Sequence, residues 1–133
     1  MTSRSRDVRG LTLDAGALIA IDRNAETVRA LLRRARAYRW PILVPAGALA
    51  QVWRGGARQA RLAAFLGVID GPTVLPLTER DARAAGELCG RTGTADVVDA
   101  SVMICALLYS HHIVTSDPTD MRLLNSGVPL ITL

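Results

Sequence analysis

Residues 11–21 read LTLDAGALIAI, and they decide the fold. Leu11, Thr12 and Leu13 suit a short strand, and Asp14 follows at once. Ala15, Gly16, Ala17 and Leu18 then begin a helix, for which an aspartate is a favoured N-cap. A strand running through one acid straight into a helix is half of a βα unit, and the rest of the chain repeats the arrangement.

Residues 27–38 place Val28, Leu31, Leu32 and Ala35 at helical spacing, with Arg29, Arg33 and Arg36 on the other side. Pro41 closes that helix and 42–44 forms a second strand. A helix over 46–53 stops at Gly55 and Gly56, and another is expected over 57–66. The turn Asp70-Gly71-Pro72 leads into a weak strand, 73–75. Thr78-Glu79-Arg80-Asp81 has the form of a capping box before a helix reaching to about Cys89. A helix over 95–109, a strand over 113–115, a short helix from Asp117 to Gly127 and a last strand over 130–132 complete the pattern. Strands alternating with helices imply a parallel sheet covered on both faces. The reading is a flexible polar tail over 1–10 and a single domain over 11–133.

Half of the residues are hydrophobic and only 4% aromatic, so the core must be built from Ala, Val, Leu and Ile. All 16 basic residues are arginine, and against 12 acids they leave a formal charge of +4. That surplus favours an anionic partner, nucleic acid first. Cys89 and Cys105 lie in apolar helical patterns without ligand spacing and are expected to be reduced packing residues. The start, MTSRSRDVRG, has no apolar core of a signal peptide, and no apolar run is long enough to span a membrane. A cytoplasmic protein is expected.

In parallel sheets ligands bind beyond the carboxyl ends of the strands, and that is where the acids fall. Asp14 follows the first strand and Asp117 the fourth, with Asp120 three residues on. Capping alone accounts for Asp14 and Asp117. It does not account for TADVVDASVMICA at 94–106, where Asp96 can cap but Asp99 sits one turn inside an apolar helix. If strands one and four are neighbours, carboxylates from three segments meet at one edge. They cannot all stay ionised there without a counter-charge. The chain has no lysine, so the counter-charge that suits an all-oxygen set is a hard divalent cation, Mg²⁺ or Mn²⁺.

The missing lysine also argues against a phosphoryl-accepting receiver domain or a haloacid-dehalogenase-type phosphatase. No GxGxxG follows the first strand and no GxxxxGK[ST] occurs. His111-His112 is expected to be a polar turn, adjacent histidines being badly placed to share a metal.

LTLDAGALIAI, VPAGALAQVW, DVVDASVMICALL and IVTSDPTDM, in that order and spacing, resemble the PIN-domain family, and within it the VapC-type toxins of toxin–antitoxin pairs. The likeness runs from Leu11 to Leu133. It implies an α/β/α sandwich with a central parallel five-stranded sheet, and Mg²⁺- or Mn²⁺-dependent cleavage of RNA. By position it makes Asp14, Asp99 and Asp117 the catalytic, metal-binding acids, with Asp96 and Asp120 as supplementary ligands. It also implies a cognate antitoxin and a homodimer.

One position departs from the family. The glutamate of its second motif falls on Gln51, whose amide oxygen can support a metal or its water but brings no charge. Arg54, Arg58 and Arg61 beside that helix are candidates for RNA phosphate contacts. The leading reading is therefore a divalent-metal-dependent endoribonuclease, the toxin of a type II pair. A PIN domain that binds RNA or a partner protein without cutting is the alternative that Gln51 favours. A metal-dependent DNA nuclease is a third, because carboxylate chemistry does not select ribose.

Overall fold

The computed structural model describes residues 7–133. Five parallel strands, β1 (Leu11–Leu13), β2 (Ile42–Pro45), β3 (Thr73–Leu75), β4 (His112–Thr115) and β5 (Leu130–Thr132), form one sheet in the order β3-β2-β1-β4-β5. Seven helices connect them: α1 (Ala15–Asp22), α2 (Glu26–Tyr38), α3 (Ala46–Val52), α4 (Ala60–Leu66), α5 (Glu79–Thr92), α6 (Val97–Tyr109) and α7 (Pro118–Leu124). The chain winds outward from β1 to β3 and then crosses back to β4 and β5. Right-handed crossovers therefore put α1–α4 on one face and α5–α7 on the other. Helix packing divides largely the same way, with α1 against α2, α3 and α4, and α5, α6 and α7 against one another, while α3 also reaches α6.

Burial follows from this topology. The central strands are covered on both faces, so LTL of β1 and HIVT of β4 are buried throughout, while β3 and β5 at the edges are partly exposed. Leu11, Leu13, Leu18, Leu62, Met103, Ile113 and Met121 are the largest side chains fully removed from solvent. Cys89 and Cys105 are free thiols, both buried.

Several local features differ from the sequence expectation, among them the end of α7, which comes at Leu124 and not at Gly127. The segment 57–66 begins as a 3-10 turn (Ala57–Gln59) before α4, because Gly56 enters it at φ 84 and the Gln59 side chain holds the loop in place of helical bonds. Helix α5 runs past Cys89 to a left-handed cap at Gly93, and α6 starts two residues late because Asp96 caps it. His111 and His112 do not make a polar turn. Ser110, at φ 57, ends α6 so abruptly that the chain enters β4 at once, and both imidazoles are turned inward at 4% exposure. Of the tail expected over 1–10, residues 1–6 lie outside the described residues, and Val8 belongs to the core cluster.

Candidate functional site

β1 lies directly beside β4 in the register Leu11↔His112, Thr12↔Ile113, Leu13↔Val114. The chain adds strands outward to one side of this seam and then to the other, and this reversal of strand order opens a crevice beyond the strand ends where an α/β fold binds ligands. The seam continues one residue further, with the Asp14 amide donating to the Val114 carbonyl at 3.2 Å. Asp14 is therefore fixed at the switch point by the ladder itself.

Three of the acids are N-caps. Asp14 Oδ1 accepts from the Ala17 amide at 2.8 Å, Asp96 Oδ1 from the Asp99 amide at 2.9 Å, and Asp117 Oδ1 from the Asp120 amide at 3.4 Å. Capping thus accounts for where these carboxylates stand, as local sequence suggests. It does not account for what surrounds them. Asp14 is only 5% exposed, and burial pushes its pKa up against the opposing pull of the Thr115 hydroxyl and the Ala17 and Gly16 amides, with the Asp117 charge adding to the rise. Asp99 is raised to about 7, first by burial, then by the charges of Asp96 and Asp14, a hydrogen bond with Asp96, and the charge of Asp120. Asp120 is raised chiefly by sharing a hydrogen bond with Asp117 and by that neighbour's charge. Carboxylates from the β1–α1 junction, the start of α6 and the β4–α7 junction thus act on one another.

Among the described residues, no three His, Cys, Asp or Glu side chains stand close enough to hold a metal ion as placed. The donor chemistry nevertheless fits one. The set is all carboxylate oxygen, no arginine forms an ion pair with it among the described contacts, and its members raise one another's pKa. A hard divalent cation held by these carboxylates would relieve that repulsion.

Two residues of this neighbourhood escape a reading by motif. Thr115 is wholly buried; its hydroxyl donates to Asp14 and its Oγ1 accepts from the Asp117 amide at 2.9 Å, tying two acids together. A hydroxyl ending an otherwise apolar strand, IVT, is the signal that could have found it. Gly16 is the other, since a Cβ there would collide with Ser116 Oγ and lie 3.3 Å from Asp14 Oδ1. The start of α1 and the loop after β4 come together because that side chain is missing.

The second-motif segment is arranged differently from the acids. Gln51 is exposed in the last turn of α3, and no described hydrogen bond joins it to an acid. The first turn of the same helix meets α6, where a Cβ on Gly47 would lie 3.5 Å from Ser101 Oγ. After α3, buried Gln59 clasps the loop: its Oε1 accepts from the Arg54 and Gly55 amides at 2.6 and 2.7 Å, and its Nε2 donates to the Val52 carbonyl at 2.8 Å. Arg54 donates to the Trp53 carbonyl at 2.7 Å, and Arg54, Arg58 and Arg61 are all exposed.

No protein-family model and no curated protein matches this chain. Solved structures do. VapBC2 from Rickettsia felis, bound to a DNA fragment from its promoter, superposes with a TM-score of 0.71 at 15% identity, covering 92% of this chain and 98% of that one. DNA-bound VapBC from Salmonella typhimurium gives 0.69 at 17%, covering 92% and 97%. FitAcB from Neisseria gonorrhoeae gives 0.62 at 16%, covering 92% and 96%. The fold is PIN-like. In this PIN-like sheet the acids stand at the junctions that follow β1 and β4 and at the start of α6, the helix leading into β4.

Proposed function

We propose that the chain is a divalent-metal-dependent endoribonuclease and the toxin of a toxin–antitoxin pair. The observation that carries this reading is the convergence of carboxylates at the β1–β4 switch point, with Asp99 driven up to about 7 by burial and by its acidic neighbours. The fold supports it, being shared with chains of VapBC and FitAB complexes.

Asp14, Asp99 and Asp117 would hold Mg²⁺ or Mn²⁺, with Asp96 and Asp120 beside them. When bound, such a cation acidifies water and offsets the charge that builds on a scissile phosphate. The chain's own contribution is to hold the acids ready. The Ala17 amide and the Thr115 hydroxyl aim the Asp14 carboxylate, and Asp96 and Asp117 are locked as caps while the helix N-termini favour their negative charge. Asp99, raised to about 7, is only partly ionised near neutral pH and would ionise fully when positive charge enters. Arg54, Arg58 and Arg61 would meet RNA phosphates from the loop that Gln59 clasps. A cognate antitoxin and a second copy of the chain belong to the same reading. Purified protein should cut single-stranded RNA in Mn²⁺ or Mg²⁺ and stop in chelator; RNA left intact at every metal concentration removes the nuclease assignment.

A second reading, a PIN-like domain that binds RNA or a partner without cutting, is favoured by Gln51 and by the distance between the acids as placed. Metal-dependent turnover of RNA separates the two, and Gln51→Glu tests whether position 51 belongs to the site. If position 51 serves the site, the added carboxylate lowers the melting temperature in chelator and tightens metal binding, each tenfold gain adding about 1.4 kcal/mol at saturating metal. Identical metal responses in both proteins would place residue 51 outside it.

A further inference from the structure

Helix α2 carries a basic stripe that the candidate site does not use. Its core face is Val28, Leu31 and Ala35, all buried. Arg29, Arg33 and Arg36 follow one another at i, i+4 and i+7, so the three guanidiniums share one exposed side of the helix. Each arginine's neighbour along that side is another arginine, an arrangement that destabilises a helix. Among the described residues none of the three guanidiniums makes an ion pair or a hydrogen bond, and Glu26, the one acid on α2, pairs with none of them.

Helix α5 shows that this chain can arrange its arginines otherwise. There Arg83 meets Glu79 at 2.8 Å across one turn, and Arg80 meets Asp81 at 3.6 Å. The helix dipole favours Arg36, in the last turn of α2, but gives nothing to Arg29 or Arg33. Solvation of the helix does not call for three like charges in line.

We propose that the Arg29–Arg33–Arg36 stripe is a docking surface for the phosphate backbone of RNA, apart from the acidic site. Successive phosphates along a strand present what the stripe lacks, a row of like anions, and a guanidinium can grip each through two hydrogen bonds. A protein partner fits less well, because one flank of the stripe is Glu26, Ala30 and Ala37, and the large apolar neighbour on the other flank, Leu32, is packed against the core and not free to serve as an anchor. The surface rests on the ribonuclease reading only for the identity of the polymer.

The test replaces Arg29, Arg33 and Arg36 together by Gln in the Asp99→Asn protein, so that binding is read without cutting. Fluorescence anisotropy with a labelled single-stranded RNA gives affinity against salt. Three lost phosphate contacts make the log–log slope shallower by about 2. Between about 50 and 200 mM salt the parent then loses roughly twentyfold more affinity than the variant. The melting temperature should hold or rise, since like-charge neighbours have gone. Arg80→Gln with Arg83→Gln on α5 should leave the slope as it was. An unchanged slope in the α2 variant, an equal change in the α5 variant, or no RNA binding by the parent overturns the proposal. So does an α2 variant that keeps its RNA slope but loses binding to polyglutamate, which would make the stripe a site for an acidic protein segment. Failure of the unsubstituted protein to cut RNA removes the nuclease reading and leaves this result standing.

Discussion

The β1–β4 seam ends in two histidines at one side of the sheet and in aspartates at the other, and the two ends treat burial differently. At the N-terminal end the His112 amide donates to the Gly10 carbonyl at 3.0 Å, and His111 Nδ1 lies 3.1 Å from the Thr12 hydroxyl. Burial lowers the pKa of both imidazoles, and the neutral ring is what that end accommodates. At the C-terminal end a second hydroxyl, Thr115, binds Asp14, and burial again works against charge. There Asp14, Asp96, Asp99, Asp117 and Asp120 act on one another, so repulsion is added to burial. One threonine per end sits in nearly the same setting. What separates a structural end from a chemical one is whether neutral groups satisfy it.

The strongest way to break this contrast is to change the charge at the acidic end. Asp99→Asn and Asp14→Asn should each cut RNA cleavage by at least about a hundredfold, since loss even of an outer-shell partner of a metal site costs 10–100-fold. Both should keep the fold, with an equal or higher melting temperature in chelator. His111→Gln at the far end should cost stability but leave cleavage of folded protein near normal. Undiminished Mn²⁺-dependent cleavage by Asp99→Asn would show that the acidic end is structural too.

Glycine-to-alanine changes at the two ends sharpen the comparison. A Cβ on Gly10 drives into the ring of buried His111, which has little room to yield, so Gly10→Ala should cost about 1–3 kcal/mol of stability by urea unfolding. On Gly16 the collision is with Ser116 Oγ, a group that can rotate away. Gly16→Ala should melt close to the unsubstituted protein while losing activity, because the added methyl crowds Asp14. Equal stability losses would mean that both ends are packed alike.

The smallest effect is in pH. Asp99 titrates at about 7 in the folded protein against 3.8 unfolded, so the folded state holds a proton that the unfolded state has released. Its contribution to stability is full below pH 3.8 and is lost as pH rises through 7. The histidines act oppositely: their folded pKa lies below 6.5, so their contribution is present above 6.5 and lost as pH falls through the lowered value. In chelator, Asp99→Asn should remove the loss of melting temperature between about pH 4 and 7, and His111→Gln should soften the loss on the acid side. A profile for Asp99→Asn that overlays the unsubstituted one contradicts the electrostatic account of the site.

Much of the acidic end is legible in the sequence because capping is local. Asp14, Asp96 and Asp117 each announce a helix start within three residues, and Asp99 stands out as an acid inside an apolar run. The neighbourhood of β1 and β4, nearly a hundred residues apart, follows only from the alternation of elements and the family pattern. Thr115 is not legible in the same way. Its role depends on the aspartate that follows the adjoining strand, which no local window contains. The histidine end reads as a turn in the sequence because polar residues follow Tyr109, and only the φ of 57 at Ser110 sends the chain straight into β4. Gln59 fails similarly, its three hydrogen bonds reaching back across a glycine-rich loop that carries no periodic signal.

The β1–β4 seam also has a consequence in time. Asp14 leaves the ribosome early, but its partners at 96–99 and 117–120 follow roughly a hundred residues later, and β1 has no β4 to pair with until then. Contacts so distant along the chain form late, after the closure of a long loop. A nascent chain, or one cut short before residue 117, holds the first acid without the assembly that would give it chemistry.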